Sequence, residues 1–293
     1  MRRQVKGKQV RRELLPKQSQ ELLRELHLLT REGNLNADAL RKLKQVNHLM
    51  GLLAPALDDL WARHGSPAVV DAGSGNAYLG FILYELFLKG SDKGRLLSIE
   101  SREDLTARAR ERASRLGFGR MDFETATLET AKYPERIHLL TALHACDTAT
   151  DDALVAAITH QADYVAVVPC CQAEVAQQLK EGRGKGSPSL EPLFSHAWHR
   201  REFGSHLTNV IRALTLESFG YQVTVTELTG WEHSLKNELI LGRKVHRENR
   251  PARLKLERLL GEAGVQPKLA RVLGVTPKVD VPAAPSSAPP AGA

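Results

Sequence analysis

From about residue 66 onward the chain alternates between short β-rich runs and longer stretches of helical periodicity. No other feature limits its fold so tightly. The runs are Ala68–Ala72, Leu96–Glu100, Met121–Glu124, Ile137–Leu143, Tyr164–Val168, Gln222–Leu228 and Glu238–Gly242. Most of the segments between them are long enough for crossover helices, which predicts an α/β fold with a mainly parallel sheet and helices on both faces. The last two runs are separated by only about nine residues, Thr229 to Asn237. A parallel crossover needs a dozen or more, so these two are expected to be antiparallel neighbours.

The segment before this alternation reads as two capped helices. Ser19 is placed to cap the first, with Leu22, Leu23, Leu26 and Leu29 on one face. Asn36 is placed to cap the second, whose positions Leu40, Leu43, Val46, Met50, Leu53, Leu57 and Leu60 step by three or four along one stripe. Pro55 removes a backbone donor and is expected to kink or interrupt that helix. The chain thus divides into a basic arm (residues 1–17), a helical cover (18–65), the alternating domain (66–243), and a basic helix at Pro251–Gly261 followed by a tail (244–293). Residues 282–293 are proline, alanine, serine and glycine only and read as disordered; Lys180–Pro192, rich in glycine, lysine and arginine, reads as mobile.

Composition narrows the class of partner. The 41 lysines and arginines outnumber 34 acids, giving a formal charge of +7. The arm concentrates Arg2, Arg3, Lys6, Lys8, Arg11, Arg12 and Lys17 against Glu13 alone. Such a block is either a solvated tail or an arm that contacts phosphates and releases counterions. Three cysteines rule out a disulfide scaffold and suit a reducing compartment. No apolar run approaches the roughly 18 residues of a membrane span, and Met1-Arg2-Arg3-Gln4-Val5-Lys6 lacks a secretory signal's apolar stretch. The expectation is a cytoplasmic protein with no membrane partner.

Chemistry enters at Val69-Val70-Asp71-Ala72-Gly73-Ser74-Gly75-Asn76-Ala77, a buried strand running into a glycine turn and then a helix. Gly73 and Gly75 let the backbone turn sharply and approach a ligand. The next run ends in Glu100, an acid suited to gripping two ribose hydroxyls. A dinucleotide fingerprint needs a third glycine three positions after the second, where this chain has Tyr78 and places its next glycine at Gly80. Asp71 ahead of the turn suits an ammonium or sulfonium better than a pyrophosphate.

Asp71-Ala72-Gly73-Ser74-Gly75 resembles motif I of the class I S-adenosylmethionine-dependent methyltransferases. The resemblance implies their seven-stranded Rossmann-like sheet, mostly parallel with the last strand antiparallel. It implies S-adenosylmethionine as cofactor, Asp71 toward the methionine ammonium, Gly73, Ser74 and Gly75 as the cradle, Glu100 on the ribose, and Thr125-Ala126-Thr127 beside the adenine. Leu143-His144-Ala145-Cys146-Asp147-Thr148-Ala149-Thr150-Asp151 is similar to the fourth-strand signature of a narrower subgroup, the tRNA acceptor-stem ribose methyltransferases and related methyltransferase-like proteins. Asp147 stands where that signature has glycine. Val168-Pro169-Cys170-Cys171 and Glu232-His233-Ser234-Leu235-Lys236-Asn237 also match the subgroup.

Methyl transfer from a sulfonium is an in-line displacement that needs alignment, a dry site and, for a hydroxyl or nitrogen nucleophile, a destination for the proton. By their place after the fourth strand, His144 and Asp147 are the candidates to orient or deprotonate the acceptor, His144 lying also beside the cofactor. The bland alternatives are a hydrogen-bonded strand-end histidine, and a helix cap for Asp147 or Asp151. Cys146, Cys170 and Cys171 read either as small buried hydrophobes or, for Cys170 and Cys171, as covalent catalysts of the kind RNA cytosine-C5 methyltransferases place at these strand ends. A metal centre made with His144 is disfavoured, because adjacent cysteines chelate one tetrahedral ion poorly. His196-Ala197-Trp198-His199-Arg200-Arg201 combines aromatic and cationic groups able to stack a base, or is simply a helix start with a packed tryptophan. The expected function is S-adenosylmethionine-dependent methylation of RNA (tRNA or rRNA) at a ribose hydroxyl or base. The alternatives are a catalytically silent module of the same fold that binds RNA or protein, and a protein or small-molecule methyltransferase.

Overall fold

The computed structural model describes residue 10 and residues 12–143, 145–170, 172–182, 186–228 and 238–278. Seven strands form one sheet in the order β3-β2-β1-β4-β5-β7-β6. They are β1 (Ala68–Ala72), β2 (Arg95–Glu100), β3 (Met121–Thr125), β4 (Leu139–Leu143), β5 (Tyr164–Val168), β6 (Tyr221–Glu227) and β7 (Glu238–Lys244). The first five pair in parallel, and β7 inserts antiparallel between β5 and β6. The short connection between the last two strands therefore produces the antiparallel pair that its length predicts, with Tyr221 opposite Lys244 and Glu227 opposite Glu238. Sequence order reverses between β1 and β4, which opens a crevice above their carboxyl ends.

The N-terminal cover is built from α1 (Gln20–Glu25) and α2 (Ala37–Arg63). The Ser19 side chain accepts from the Leu22 amide and the Asn36 side chain from the Ala39 amide, so both predicted caps form. α1 ends earlier than its leucines suggest. His27 turns left-handed (φ 55), and the Leu28 and His27 amides return to the Leu23 and Arg24 carbonyls. That closure is a Schellman motif, and it keeps Leu26, Leu28 and Leu29 buried without continuing the helix. α2 corrects another expectation: Pro55 does not interrupt it, and the helix runs through all 27 residues. Pro55 and Gly51, whose carbonyl loses its partner, both lie on the exposed face, where water satisfies that group.

Three apolar clusters hold the layers together. One joins α1 and α2 to α3 (Tyr78–Leu83) and to one face of the sheet. A second packs the opposite face against α5 (Thr148–Thr159), following α4 (Glu103–Arg115) in the chain. The third gathers α6 (Glu174–Glu181), α7 (Glu191–Phe194), α8 (Ala197–Ser218), α9 (Arg250–Ala263) and α10 (Lys268–Val272). The basic segment after β7 thus contributes buried Leu256, Leu260 and Leu269 to the packed body. The stretch read as mobile is largely built in. α6 reaches Glu181, a 3-10 turn covers Pro188–Leu190, and the Ser187 amide donates to the Glu262 carbonyl at 2.6 Å. Residues 183–185 lie outside the described residues. Among the described residues no helix is long and apolar enough to cross a membrane.

Candidate functional site

The crevice has two walls of different construction. On the first, β1 ends at Ala72 and the chain turns through Gly73 (φ 66) and Gly75 (φ 56), left-handed conformations that favour glycine. The turn lies across the end of β2: the Ser74 amide donates to the Ile99 carbonyl at 3.0 Å, and the Gly75 amide to Glu100 Oε2 at 2.8 Å. A Cβ on Gly73 would rest 3.4 Å from Ala145 Cβ, whereas one on Gly75 would meet nothing within 4 Å. That side of the turn is open. Ala77, also left-handed (φ 56) and fully buried, starts α3 as the Phe81 amide donates to its carbonyl.

Asp71 lies beneath this turn and is 1% exposed. Its Oδ2 accepts the Gly80 amide at 3.0 Å and its Oδ1 the Thr141 hydroxyl at 3.3 Å. Burial pushes its carboxyl up to about 7 despite those two donors. The contact explains Gly80: a Cβ there would stand 2.8 Å from Asp71 Oδ2. The glycine that comes too late for a dinucleotide fingerprint instead lets α3 approach β1 closely enough to bond its acid. Glu100, 9% exposed, closes the strand end. Its Oε1 accepts from the Arg102 amide and Nε, both at 3.1 Å. Burial pushes the Glu100 carboxyl up, but the hydrogen bonds from Arg102 and Gly75 and the Arg102 charge outweigh it and hold the group below its ordinary value. Thr125 pairs with Glu100 in the sheet, and the Ala126 amide donates to the Glu100 carbonyl at 3.2 Å. Asp71, Gly73, Ser74, Gly75, Glu100, Thr125 and Ala126 therefore share one sheet edge.

The second wall is made at the ends of β4 and β5. Cys146 Sγ and Cys170 Sγ approach to 3.3 Å, tying the two strand ends together, with Cys146 exposed. Asp147 adopts φ 47 and ψ −120, a conformation suited to glycine, which is the residue the subgroup signature has there. Its Oδ1 accepts the Ala173 amide at 3.0 Å, bridging to the loop after β5, and its side chain makes no cap bond to α5. His144, Cys171 and the stretch Glu232–Asn237 lie outside the described residues.

Behind this wall stands a buried network that the sequence reading missed. Arg212, 1% exposed on α8, donates through Nε to Asp151 Oδ1 at 2.7 Å and through Nη2 to the Asp147 carbonyl at 2.8 Å. Its Nη1 donates to Asn209 Oδ1 at 3.3 Å, which also accepts from Gln172 Nε2; Asn209 Nδ2 donates to Glu238 Oε2 at 2.9 Å. Burial pushes the Asp151 carboxyl up, opposed by the Arg212 charge and hydrogen bond. One guanidinium thus holds the β4 loop and α5 and, through Asn209, reaches the β5 loop and the start of β7. The signal was present in α8 as polar Ser205, Asn209 and Arg212 set among Leu207, Ile211 and Leu214.

Residues 41–178 match a family model described as "Methyltransferase domain", a span from α2 to α6 that contains the glycine turn, Glu100, Cys146, Asp147 and Cys170. Among curated proteins, the Homo sapiens "Glutathione S-transferase C-terminal domain-containing protein" is 28% identical over 233 residues, covering 72% of this chain and 35% of that protein. Its Xenopus laevis counterpart is 27% identical over 232 residues, covering 72% and 36%. The chain spans about a third of the length of the curated relatives it matches. Among solved structures, an rRNA methylase from Streptococcus thermophilus aligns with a TM-score of 0.41 and 13% identity over 62% of this chain and 88% of that one. A Podospora anserina methyltransferase bound to SAH aligns with a TM-score of 0.42 and 13% identity over 77% and 87%. The matched span holds β1 to β5, the parallel part of the seven-stranded sheet, and stops short of the antiparallel pair β6 and β7.

Proposed function

We propose that this chain is an S-adenosylmethionine-dependent methyltransferase that modifies RNA, tRNA or rRNA, at a ribose hydroxyl or a base. One observation carries the cofactor half of the reading. The open glycine turn is closed from the neighbouring strand by a carboxylate held below its ordinary pKa, at the point where strand order reverses.

The residues fit a nucleoside bearing a cationic tail. The missing Cβ of Gly75 leaves the backbone bare toward open space, which is the cradle such a ligand needs. Glu100 stays ionised and accepts from ribose hydroxyls, and Thr125 and Ala126 flank the base. S-adenosylmethionine, when bound, supplies a methyl group already activated on a sulfonium sulfur. The chain's own task is then to align the acceptor and take its proton. Asp147 is the proposed acceptor of that proton among the described residues, fixed at the mouth of the crevice by Ala173 and Arg212. His144 and the cysteine route through Cys170 and Cys171 remain proposals of the sequence.

The RNA half rests on the +7 charge and the cation-rich residues 1–17. One observation favours the silent module instead: Asp71 is 1% exposed and both of its oxygens are already engaged, by Gly80 and Thr141. Two measurements decide. Calorimetry with S-adenosylmethionine is expected to show one site, weakened at least about tenfold (about 1.4 kcal/mol) by Glu100→Ala. Labelled cofactor incubated with total RNA and total protein is expected to mark the RNA fraction. Absence of binding refutes the cofactor site, binding without label supports the silent module, and label in protein alone refutes the RNA acceptor.

A further inference from the structure

Helix α8 carries a polar stripe along one face. Trp198, Arg201, Ser205, Asn209 and Arg212 recur at steps of three or four residues, which places them along one face. The inner part of that stripe is already assigned: Arg212 holds the Asp147 carbonyl, Asn209 reaches Gln172 and Glu238, and Ser205 Oγ lies 2.6 Å from Gln172 Oε1. This face is the one turned toward the loops after β4 and β5. α8 leads directly into β6, which runs parallel to β5 because both are antiparallel to β7. The N-terminus of α8 therefore stands at the same sheet edge as the crevice. Trp198 lies seven residues outward of Ser205, about 10 Å at 1.5 Å per residue.

What emerges there is not a packed helix start. Trp198 is 62% exposed, and the Arg201 guanidinium carbon lies 4.3 Å from its ring centroid. His196 and His199 flank it with ring centroids 5.5 Å apart, and residues 196–201 contain no acid. Glu202 pairs with Arg201 at 3.1 Å, but both side chains are exposed, so the pair is readily exchanged for a phosphate. Arg200 points back instead: its Nη1 donates to the Phe194 carbonyl at 3.1 Å and fixes the corner between α7 and α8. The corner thus presents an indole and a planar cation at the same sheet edge as the acceptor wall.

Resting on the RNA methyltransferase reading above, we propose that Trp198 and Arg201 form a stacking platform for an unpaired nucleotide of the RNA acceptor. The platform guides the strand over Ser205 and Gln172 toward Cys146 and Asp147. Bases within a duplex have both faces covered by their neighbours, so a stacking platform selects single-stranded or flipped nucleotides. The absence of acids in residues 196–201 and the chain's positive charge favour a polyanion over an acid-neutral protein surface.

The test uses the full chain and a fluorescein-labelled 12-nucleotide RNA of mixed sequence, as a single strand and as a duplex, read by fluorescence anisotropy. The single strand is expected to bind more tightly than the duplex. Trp198→Ala is expected to weaken the single strand at least about tenfold, Trp198→Phe to recover most of that loss, and Arg201→Lys to fall between. S-adenosylmethionine affinity and thermal midpoint are expected to stay at wild-type values, because Trp198 is exposed and outside the glycine turn. Wild-type RNA binding that Trp198→Ala leaves unchanged overturns the platform and spares the RNA reading. No wild-type RNA binding at all overturns both. If Trp198→Ala leaves RNA binding intact but abolishes labelling of a protein fraction, the surface belongs to a protein partner and the platform is again overturned.

Discussion

The two walls of the crevice solve the same problem, holding a loop at the end of its strand still, by opposite means. The wall at β1 and β2 uses mainly backbone: glycines in left-handed conformations, one strand-end carboxylate, and hydrogen bonds from the turn to β2 across about twenty-five positions, with the Thr141 hydroxyl on Asp71 as the long-range exception. The wall at β4 and β5 uses side chains drawn from distant segments, with Arg212 reaching Asp147 and Asp151 from more than sixty residues away. A backbone device tolerates change outside a few glycines. A side-chain network buried from water fails as a unit, because each member leaves another unpaired.

The largest expected effect lies in the second wall. Arg212→Ala strands the Asp151 carboxylate and should cost about 3–5 kcal/mol in denaturant unfolding. Replacing both partners by leucine should restore much of that loss, and equal instability of the double variant would show that the pair is not the source. In the first wall the corresponding lever is Asp71. Its carboxyl ordinarily titrates near 3.8 and is pushed up to about 7 by burial, so the native state favours the protonated form. Its stabilising share is present below about pH 4 and gone once pH passes about 7, a loss of at most about 4 kcal/mol at about 1.4 kcal/mol per unit. Relative to Asp71→Asn, the wild type should lose stability across that window; parallel stability–pH curves would refute it. If an ammonium sits by Asp71, cofactor affinity should also fall below pH 7 in the wild type and not in the variant.

Smaller effects separate close packing from conformation. Gly80→Ala drives a Cβ to 2.8 Å from Asp71 Oδ2 and should cost about 1–3 kcal/mol. Gly75→Ala has room and should cost only the left-handed penalty of about 1–2 kcal/mol. Asp147→Gly and Asp147→Ala both lose the bond to Ala173, so the glycine variant should be the more stable by about 1 kcal/mol if φ 47 is strained. A tie would mean that the peptide relaxes.

The same contrast decides what could be read in the sequence. β1 and β5 fall where their apolar runs put them, β2, β3, β4 and β7 differ by one or two residues at one end and β6 by one at each end, because strand and helix periodicities are local properties. The glycine turn and Glu100 were legible for the same reason, each sitting at the end of its own strand. Arg212 was only half legible: Ser205, Asn209 and Arg212 set among leucines mark a polar stripe on α8, but the stripe does not say which loop its cation will be buried against. Pro55 misled because periodicity says which face is apolar but not that the proline and its orphaned carbonyl share the wet one. Gly80 was noticed only as a spacing fault, while its use depends on where Asp71 points.

The cover helices have a consequence for anyone who shortens this chain. α3 begins at the glycine turn and runs into a π turn, Tyr84–Leu88, in which Glu85 is 5% exposed. That carboxylate receives the amide and the hydroxyl of Ser19, the cap of α1. Deleting the leading segment would therefore uncork an anion inside an oily seam, on the very rod whose other end starts at the glycine turn. The N-terminal helices are better regarded as a stopper than as an ornament, and a trimmed protein that binds nothing would report a leak rather than a missing active site.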